Sequence, residues 1–386
     1  MESRSPNPSR DREGAGQANG SQGDQLKRNG NRNKKQISRA ATLLFLCLLA
    51  AAAPLSRASD PGLVHIQRAH YIMGTVFEIE AYGKDAERTA AAVEEAFAAI
   101  RRADEVMSDY RDDSELSRLN REGAMGFVPL SADLFDVLRK SVAYSRLTDG
   151  AFDVTVGPLV DAWRQASKEG RLPDDRERSR WRSLVGHSLL RFEESQQAVR
   201  FDRPGMRVDL GAIGKGWAVD RAAEILRQRG IEHALISAGT SSIYALGAPP
   251  GQAAWKVAIR DPRREDDLLA VVLLRDESLS TSGSYEQSRE IGGKAYSHIL
   301  DPRTGWPVET MWSSTVIAPE ATESDALSTA AFVLGFERAE TMLRARGLSA
   351  ILAGQGEREN EMVVRQIAPA GKTPPWITGP GGKFDE

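Results

Sequence analysis

The chain alternates between strand-like and helix-like spacing of its apolar residues. Over residues 73–81, Phe77, Ile79 and Ala81 alternate with Glu78 and Glu80, which predicts a half-buried strand. From residue 85 to about 107, Val93, Ala96, Phe97, Ile100 and Met107 recur at helical spacing and predict an amphipathic helix. A second helix is expected from Ser131, a good N-cap, with Leu130 and Phe135 placed as a hydrophobic staple. Its apolar face is Leu134, Val137, Leu138 and Val142, and Gly150 can close its end. Residues 168–182 are charged and predict an exposed excursion. A short strand is expected at 207–210, then a glycine turn at 211–216 and a helix over 217–229 with Ala218, Ala222, Ile225 and Leu226 on one face. Strands follow at 234–237, 255–260, 268–274, 295–300, 312–317, 348–353 and 361–367, with a helix over 320–346. Many short strands with interspersed helices indicate an α+β fold with mixed, mostly antiparallel sheets. No fixed-period repeat is present.

The N-terminus is a different material. Residues 1–39 hold almost nothing apolar before Ile37, so burial cannot offset the entropy of ordering them, and disorder is expected. After Lys34, Lys35 and Arg39 comes the run Thr42-Leu43-Leu44-Phe45-Leu46-Cys47-Leu48-Leu49, followed by Ser56 and Ala58. A basic flank, a short apolar core and small residues match an export signal over 40–58 cleaved after Ala58; the alternative is an uncleaved anchor. Cys47, the single cysteine, lies inside that run. Cleavage would leave a cysteine-free chain over 59–386, without disulfides, thiolate metal sites or cysteine catalysis. No apolar run near twenty residues follows, so the mature part is expected to be soluble. The net charge of −3 provides no basic field for nucleic acid.

Several polar positions carry candidate chemistry. Gly211-Ala212-Ile213-Gly214-Lys215-Gly216 suits a phosphate cradle, because glycines let backbone N–H groups approach an anion at a helix start. A simple tight turn is the alternative, since the spacing matches neither the P-loop nor the dinucleotide fingerprint. Asp209, just before it, either meets a ligand or accepts turn N–H groups. Asp325 and Thr329 are four apart and share a helix face, which suits a hard cation such as Mg²⁺. Against this, Thr322 could be an N-cap with Asp325 beside the helix dipole. His298 lies in Tyr296-Ser297-His298-Ile299-Leu300-Asp301, and is either a proton-transfer group or a core histidine. Ser280-Thr281-Ser282-Gly283 is polar enough to line a pocket.

In order, these segments closely resemble the ApbE family, the FAD:protein FMN transferases. The resemblance rests on Met73-Gly74-Thr75, Ser108-Asp109-Tyr110-Arg111, Gly150-Ala151-Phe152-Asp153, Gly157-Pro158-Leu159, the Val208 to Gly216 stretch, Ser280 to Gly283, Tyr296 to Gly305 and Thr322 to Thr329. It covers about residues 70–340. It implies a two-lobed α+β domain with FAD between the lobes, and Mg²⁺-dependent transfer of FMN from FAD to a Thr or Ser hydroxyl of a target protein, releasing AMP. The implied partners are an acceptor protein, typically a membrane redox subunit, in the periplasm or on the outer face of the cytoplasmic membrane. Met73, Tyr110, Ala151, Phe152, Asp153, Asp209, Lys215 and Ile299 are similar to the family's FAD contacts. Ala212 (through its carbonyl), Asp325, Ser328 and Thr329 are similar to its Mg²⁺ ligands. His298 is similar to the histidine that deprotonates the acceptor hydroxyl. The chain departs from the pattern at Ala238-Gly239-Thr240 and at Ser284. A Mg²⁺-dependent FAD pyrophosphatase and a non-catalytic flavin-binding protein are the alternatives to transfer.

Overall fold

Met73 and Gly74 both take left-handed backbone, with φ of 51° and 75°, and make a two-residue hairpin between β1 (Val64–Ile72) and β2 (Thr75–Gly83). This computed structural model describes residues 62–284, 288–358, 361–371 and 374–378. The expected disordered extension and export signal, with Cys47, lie outside the described residues. Strand β1 was not anticipated, because it is exposed at most positions and carries little apolar alternation.

Helix α1 (Ala86–Met107) follows, capped by Asp85, whose carboxylate accepts the Arg88 N–H at 2.8 Å. Val93, Phe97 and Ile100 of α1 are fully buried, and each contributes about 1.5–3 kcal/mol by leaving water. Then come α2 (Glu115–Glu122), the two-residue strand β3 (Val128–Pro129) and α3 (Ala132–Leu147). Ser131 caps α3, and the Gly150 N–H reaches back to the Ser145 carbonyl at 2.9 Å, so both expected ends of this helix are present. Next are α4 (Gly157–Glu169) and α5 (Asp175–Arg182). The charged stretch thus contains a helix, held by a capping box between Asp174 and Glu177.

Strands β4 (Leu190–Glu193) and β5 (Ala198–Phe201) form a small sheet with β3. The expected strand at 207–210 is extended chain without a ladder partner; the Asp209 N–H donates instead to the Val154 carbonyl at 2.8 Å. Helix α6 (Gly214–Gln228) leads to β6 (His233–Ala238) and β7 (Ser242–Leu246). The remaining strands are β8 (Trp255–Asp261), β9 (Arg264–Leu274), β10 (Glu277–Gly283), β11 (Ser288–Ile291), β12 (Lys294–Ser297), β13 (Leu300–Asp301), β14 (Trp306–Pro307), β15 (Met311–Ala318), β16 (Ser349–Gln355), β17 (Met362–Ile367) and β18 (Trp376–Thr378). Helix α7 (Ala321–Ala345) lies between β15 and β16 and breaks at Gly335, where φ is 72° and ψ is 179°.

The central sheet has eight strands in the order β1-β2-β6-β7-β10-β15-β16-β17, every neighbour pair antiparallel. Strand alternation splits its side chains between two cores. Ala350 and Leu352 join the main core, which also holds α1, α6 and α7 residues such as Phe97, Trp217 and Phe332. Ile351 and Ala353 turn the other way, against a three-stranded sheet of β18, β9 and β8 that contributes Trp255, Val272 and Trp376. A third cluster joins α4 to the β11–β12 hairpin through Leu159, Trp163, Ile291 and Tyr296. The architecture is the expected α+β fold, with a helical layer and a smaller sheet on opposite faces of a large antiparallel sheet.

Candidate active site

Helix α6 starts at Gly214, three residues earlier than expected, because the first turn of α7 lies against it. A Cβ on Gly216 would stand 2.1 Å from the Ala321 carbonyl oxygen and 2.7 Å from Asp325 Cβ. Only glycine lets the two helices approach this closely. The Gly216 N–H then donates to Asp325 Oδ2 at 2.9 Å, rather than to the Ala212 carbonyl four residues back. The N-cap, Ile213, offers no side-chain bond to the turn, so the positive end of α6 has no side-chain acceptor from its own cap. Lys215 sits on this turn with Nζ 3.0 Å from the Gly211 carbonyl.

Asp325 is 3 % exposed and belongs to the second turn of α7, beyond the reach of a dipole-capping residue. The helix N-terminus is served instead by Asp220 of α6, which accepts the Ala321 N–H at 2.7 Å, the Thr322 N–H at 2.8 Å and the Thr322 hydroxyl. Thr322 is therefore a donor to Asp220, and Glu320 is the N-cap residue. Burial raises the Asp325 carboxyl above the ordinary value, against the opposing pull of Lys215 and the Gly216 N–H.

Beside Asp325 runs a buried seam of hydroxyls. Ser278, Ser280 and Ser282 alternate on β10 and face α7. Ser278 and Ser280 bond the Ser324 hydroxyl at 3.0 and 2.7 Å; Ser282 meets Ser328 at 2.9 Å and Thr329 at 3.1 Å. The Ser328 hydroxyl also donates to the Asp325 carbonyl at 2.9 Å. Asp325, Ser328 and Thr329 thus come together, with Ser282 as a fourth member that spacing within α7 could not disclose. Its signal was the serine alternation in β10. This is an all-oxygen donor set with one carboxylate. Such a set fits a hard cation like Mg²⁺, which takes few carboxylates and keeps water and phosphate oxygens. Among the described residues no group of three His, Cys, Asp or Glu side chains is placed to hold a metal.

Of the other candidate positions, Met73 and Asp209 lie at the same glycine turn. Met73 Cε lies 3.5 Å from where a Gly214 Cβ would stand. Asp209 Oδ1 accepts the Gly211 N–H at 2.8 Å, closing the turn. Ala151, Phe152 and Asp153 are 1, 2 and 6 % exposed. The Asp153 carboxylate is already bonded to the Thr155 N–H and hydroxyl and to the His187 N–H, at 2.9, 2.6 and 2.8 Å. The Ala151 and Phe152 N–H groups are likewise taken, by the Thr148 carbonyl and hydroxyl at 3.1 Å each. Tyr110 is 82 % exposed, with its hydroxyl accepting from Arg164 at 3.0 Å and the Arg164 guanidinium 5.5 Å from its ring centre.

His298 follows β12 and is half-buried, between the buried Ser297 and Ile299. Its backbone is held on both sides: the Ile299 N–H donates to the Ser297 hydroxyl at 3.1 Å, and the Val308 N–H to the Ile299 carbonyl at 3.0 Å. The following turn is built by Asp301, whose carboxylate grips the Arg303 guanidinium at 2.9 Å through both oxygens. The Trp163 indole N–H reaches the Gly305 carbonyl at 2.9 Å, and Arg303 lies 3.8 Å from where a Gly150 Cβ would be. The His298 loop and the Asp325 seam are separate clusters, connected through the 150–159 segment and Asp209.

A network of charges missed in the sequence links these parts. Arg207 pairs with Asp109 at 3.1 Å and with Asp161, and Arg164 approaches Asp109 at 4.0 Å. Burial, then the nearby Asp209 carboxylate, raises the Asp109 carboxyl, while Arg207 and Arg164 oppose this. The departure at Ala238-Gly239-Thr240 lies against the Met73 hairpin. Gly239 has φ of 61°, its N–H bonds the Val76 carbonyl at 2.8 Å, and a Cβ there would collide with the Thr75 hydroxyl at 2.4 Å. Ser284 bonds the Trp312 carbonyl through its own N–H at 3.0 Å.

The ApbE family model matches residues 73–352, which contain all of these groups. The chain belongs to the ApbE family. It is 35% identical over 283 residues to the FAD:protein FMN transferase of Escherichia coli (strain K12), covering 72% of this chain and 80% of that one. It is 34% identical over 300 residues to the FAD:protein FMN transferase of Treponema pallidum, covering 72% and 81%. Among solved structures it is similar to the apo form of Pseudomonas stutzeri flavinyl transferase ApbE, with a TM-score of 0.69 and 26% identity over 79% of this chain and 95% of that one. The flavin transferase ApbE from Vibrio cholerae gives a TM-score of 0.67 at 29% identity, covering 80% and 97%. The ApbE match begins at Met73 and so leaves β1 outside it, although β1 completes the edge of the central sheet.

Proposed function

We propose that this chain transfers FMN from FAD to a Ser or Thr hydroxyl of another protein and releases AMP. The observation that carries the reading is the junction of α6 and α7: a helix start without a side-chain cap, Lys215 on it, and a buried carboxylate beside paired hydroxyls. A lysine at a helix N-terminus suits a diphosphate, while the Gly214 and Gly216 N–H groups are taken by the Leu210 carbonyl and Asp325. Asp325, Thr329 and the Ala212 carbonyl, with Ser328 beside them, are the residues that would hold Mg²⁺. Mg²⁺, when bound, supplies positive charge that neutralises the diphosphate oxygens.

The chain's own groups divide the remaining work. Met73, Tyr110, Asp209, Ile299 and the segment 151–153 orient the dinucleotide. His298 takes the proton of the acceptor hydroxyl as its oxygen bonds to the phosphorus of the FMN half. The bond between that phosphorus and the oxygen bridging to AMP breaks, and AMP leaves with the bridging oxygen. The apolar run before Ala58 supports export, so the acceptor belongs outside the cytoplasmic membrane and a membrane redox subunit is the expected class.

Incubating the chain from residue 59 with FAD, Mg²⁺ and a threonine-bearing acceptor domain should give a covalently fluorescent acceptor and one AMP per FMN attached. Free FMN and AMP with no adduct would identify a hydrolase. FAD binding without AMP would identify a flavin carrier. Either result defeats the proposal.

A further inference from the structure

Arg289 is a half-buried cation that meets no carboxylate among the described residues. Strand β11 places it on the same face as Ile291, which packs with Leu159, Trp163 and Ala166 of α4. The hairpin is fixed on α4 by the Ser167 hydroxyl, which donates to the Glu290 carbonyl at 3.2 Å. Across the hairpin Arg289 is paired with Tyr296 and Ser288 with Ser297, so Arg289 lies two residues in register from His298. On the α4 side stands Arg164, bonded to the Tyr110 hydroxyl.

The Arg289 Nη1 group is buried and makes no hydrogen bond among the described residues. Arg221 and Arg303 also leave one buried N–H open, but their guanidiniums are paired with Glu224 at 2.8 Å and Asp301 at 2.9 Å. Arg289 forms no ion pair with a described carboxylate. The nearby Asp209 is occupied on one oxygen by the Gly211 N–H. Burial, and then the like charge of Arg164, lower the proton affinity of Arg289, while Tyr110 and Asp209 oppose this. A guanidinium left in this state is costly unless a bound anion completes it.

We propose that Arg289 is a phosphate-binding residue: with Arg164 it takes a phosphoryl oxygen of the dinucleotide in the space between Tyr110 and the His298 loop. This rests on FAD being the substrate. A phosphoryl group is the chemistry to expect, because Arg289 is near Asp209, which precedes the glycine turn, and two residues in register from His298. Two guanidiniums near Tyr110 match an oxyanion with several acceptor oxygens.

The test measures FAD, ADP and riboflavin binding to the chain from residue 59 and to its Arg289→Met and Arg289→Lys variants. Arg289→Met should weaken FAD and ADP about tenfold or more, as loss of a charge-assisted hydrogen bond does, and leave riboflavin unchanged. Arg289→Lys should recover part of the loss. In the wild-type protein, ADP should protect Arg289 from an arginine-modifying dione, read by mass spectrometry, which decides the matter even where a variant folds poorly. Equal losses for riboflavin, unchanged ADP binding, absent protection, or a defect confined to the acceptor KM would each overturn the assignment. Because ADP binding needs no acceptor, the result stands apart from whether a protein is flavinylated.

Discussion

Gly216→Ala tests the junction on which the site depends. The added methyl would stand 2.1 Å from the Ala321 carbonyl oxygen, 2.6 Å from its carbon and 2.7 Å from Asp325 Cβ. Two of these are backbone atoms, so no rotamer change relieves the contact. Reaching an ordinary 3.4 Å contact requires about 1.3 Å of separation between α6 and α7. That movement stretches the Gly216–Asp325 bond from 2.9 Å and pulls Asp220 from the N–H groups of Ala321 and Thr322. Overpacking costs about 1–3 kcal/mol, and losing a bond to a charged group about 1.5–3 kcal/mol. Better helix propensity returns about 1 kcal/mol. The net loss is about 1.5–5 kcal/mol, or roughly 2–7 °C in Tm at about 2.1 cal/mol/K of unfolding entropy per residue over this domain. Thermal unfolding read by circular dichroism measures it, with FAD titration by fluorescence alongside. Gly126→Ala is the control, since nothing lies within 4 Å of its Cβ position, and should stay within about 0.5 kcal/mol. A Gly216→Ala protein with wild-type Tm and FAD affinity would refute the close-approach argument.

Asp325→Asn keeps an acceptor for the Gly216 N–H, so Tm should change little while Mg²⁺-dependent AMP release falls about a hundredfold or more; retained turnover would reduce Asp325 to a structural group. His298→Ala should slow transfer to the acceptor about 10²–10⁴-fold and leave the FAD Kd unchanged; parallel losses in both would mark a structural histidine. Burial holds the Asp220 carboxyl above its ordinary 3.8, against the bonds from Thr322 and Ala321. The folded chain then keeps a proton that the unfolded chain has released, so stability falls as pH rises from 3.8 through the raised value and levels off above it. Urea unfolding across that window should show this fall in the wild type and a flatter profile in Asp220→Asn.

Local order was plain in the sequence wherever one segment carried its own instruction. Asp85 and Ser131 cap the helices expected of them, and the 3.6-residue spacing of Val93, Phe97 and Ile100 marks the face that α1 buries. The turn at Asp301 is likewise local, since residue and partner are two positions apart. Gly214, Lys215 and Gly216 were taken for a turn because glycine is a poor helix former, yet they open α6. The reason is a helix more than a hundred residues away, packed too closely for any side chain. The cap of α7 was misplaced for the same cause: Thr322 has the right chemistry, but the anion serving that terminus comes from Asp220.

The candidate groups themselves were named from residue order and family resemblance, without knowledge of their neighbours. The sequence alone determined the α+β class, the helix faces and about half of the strand positions, because hydrophobic period and capping act within about one turn or one strand. Tertiary structure alone decided that Ser282 would meet Ser328 and Thr329, that Asp325 would be buried against Gly216, and that Arg289 would feel the charge of Arg164 without pairing with a described carboxylate. Those facts depend on which distant elements share a face, and pairing between elements leaves no period in the chain.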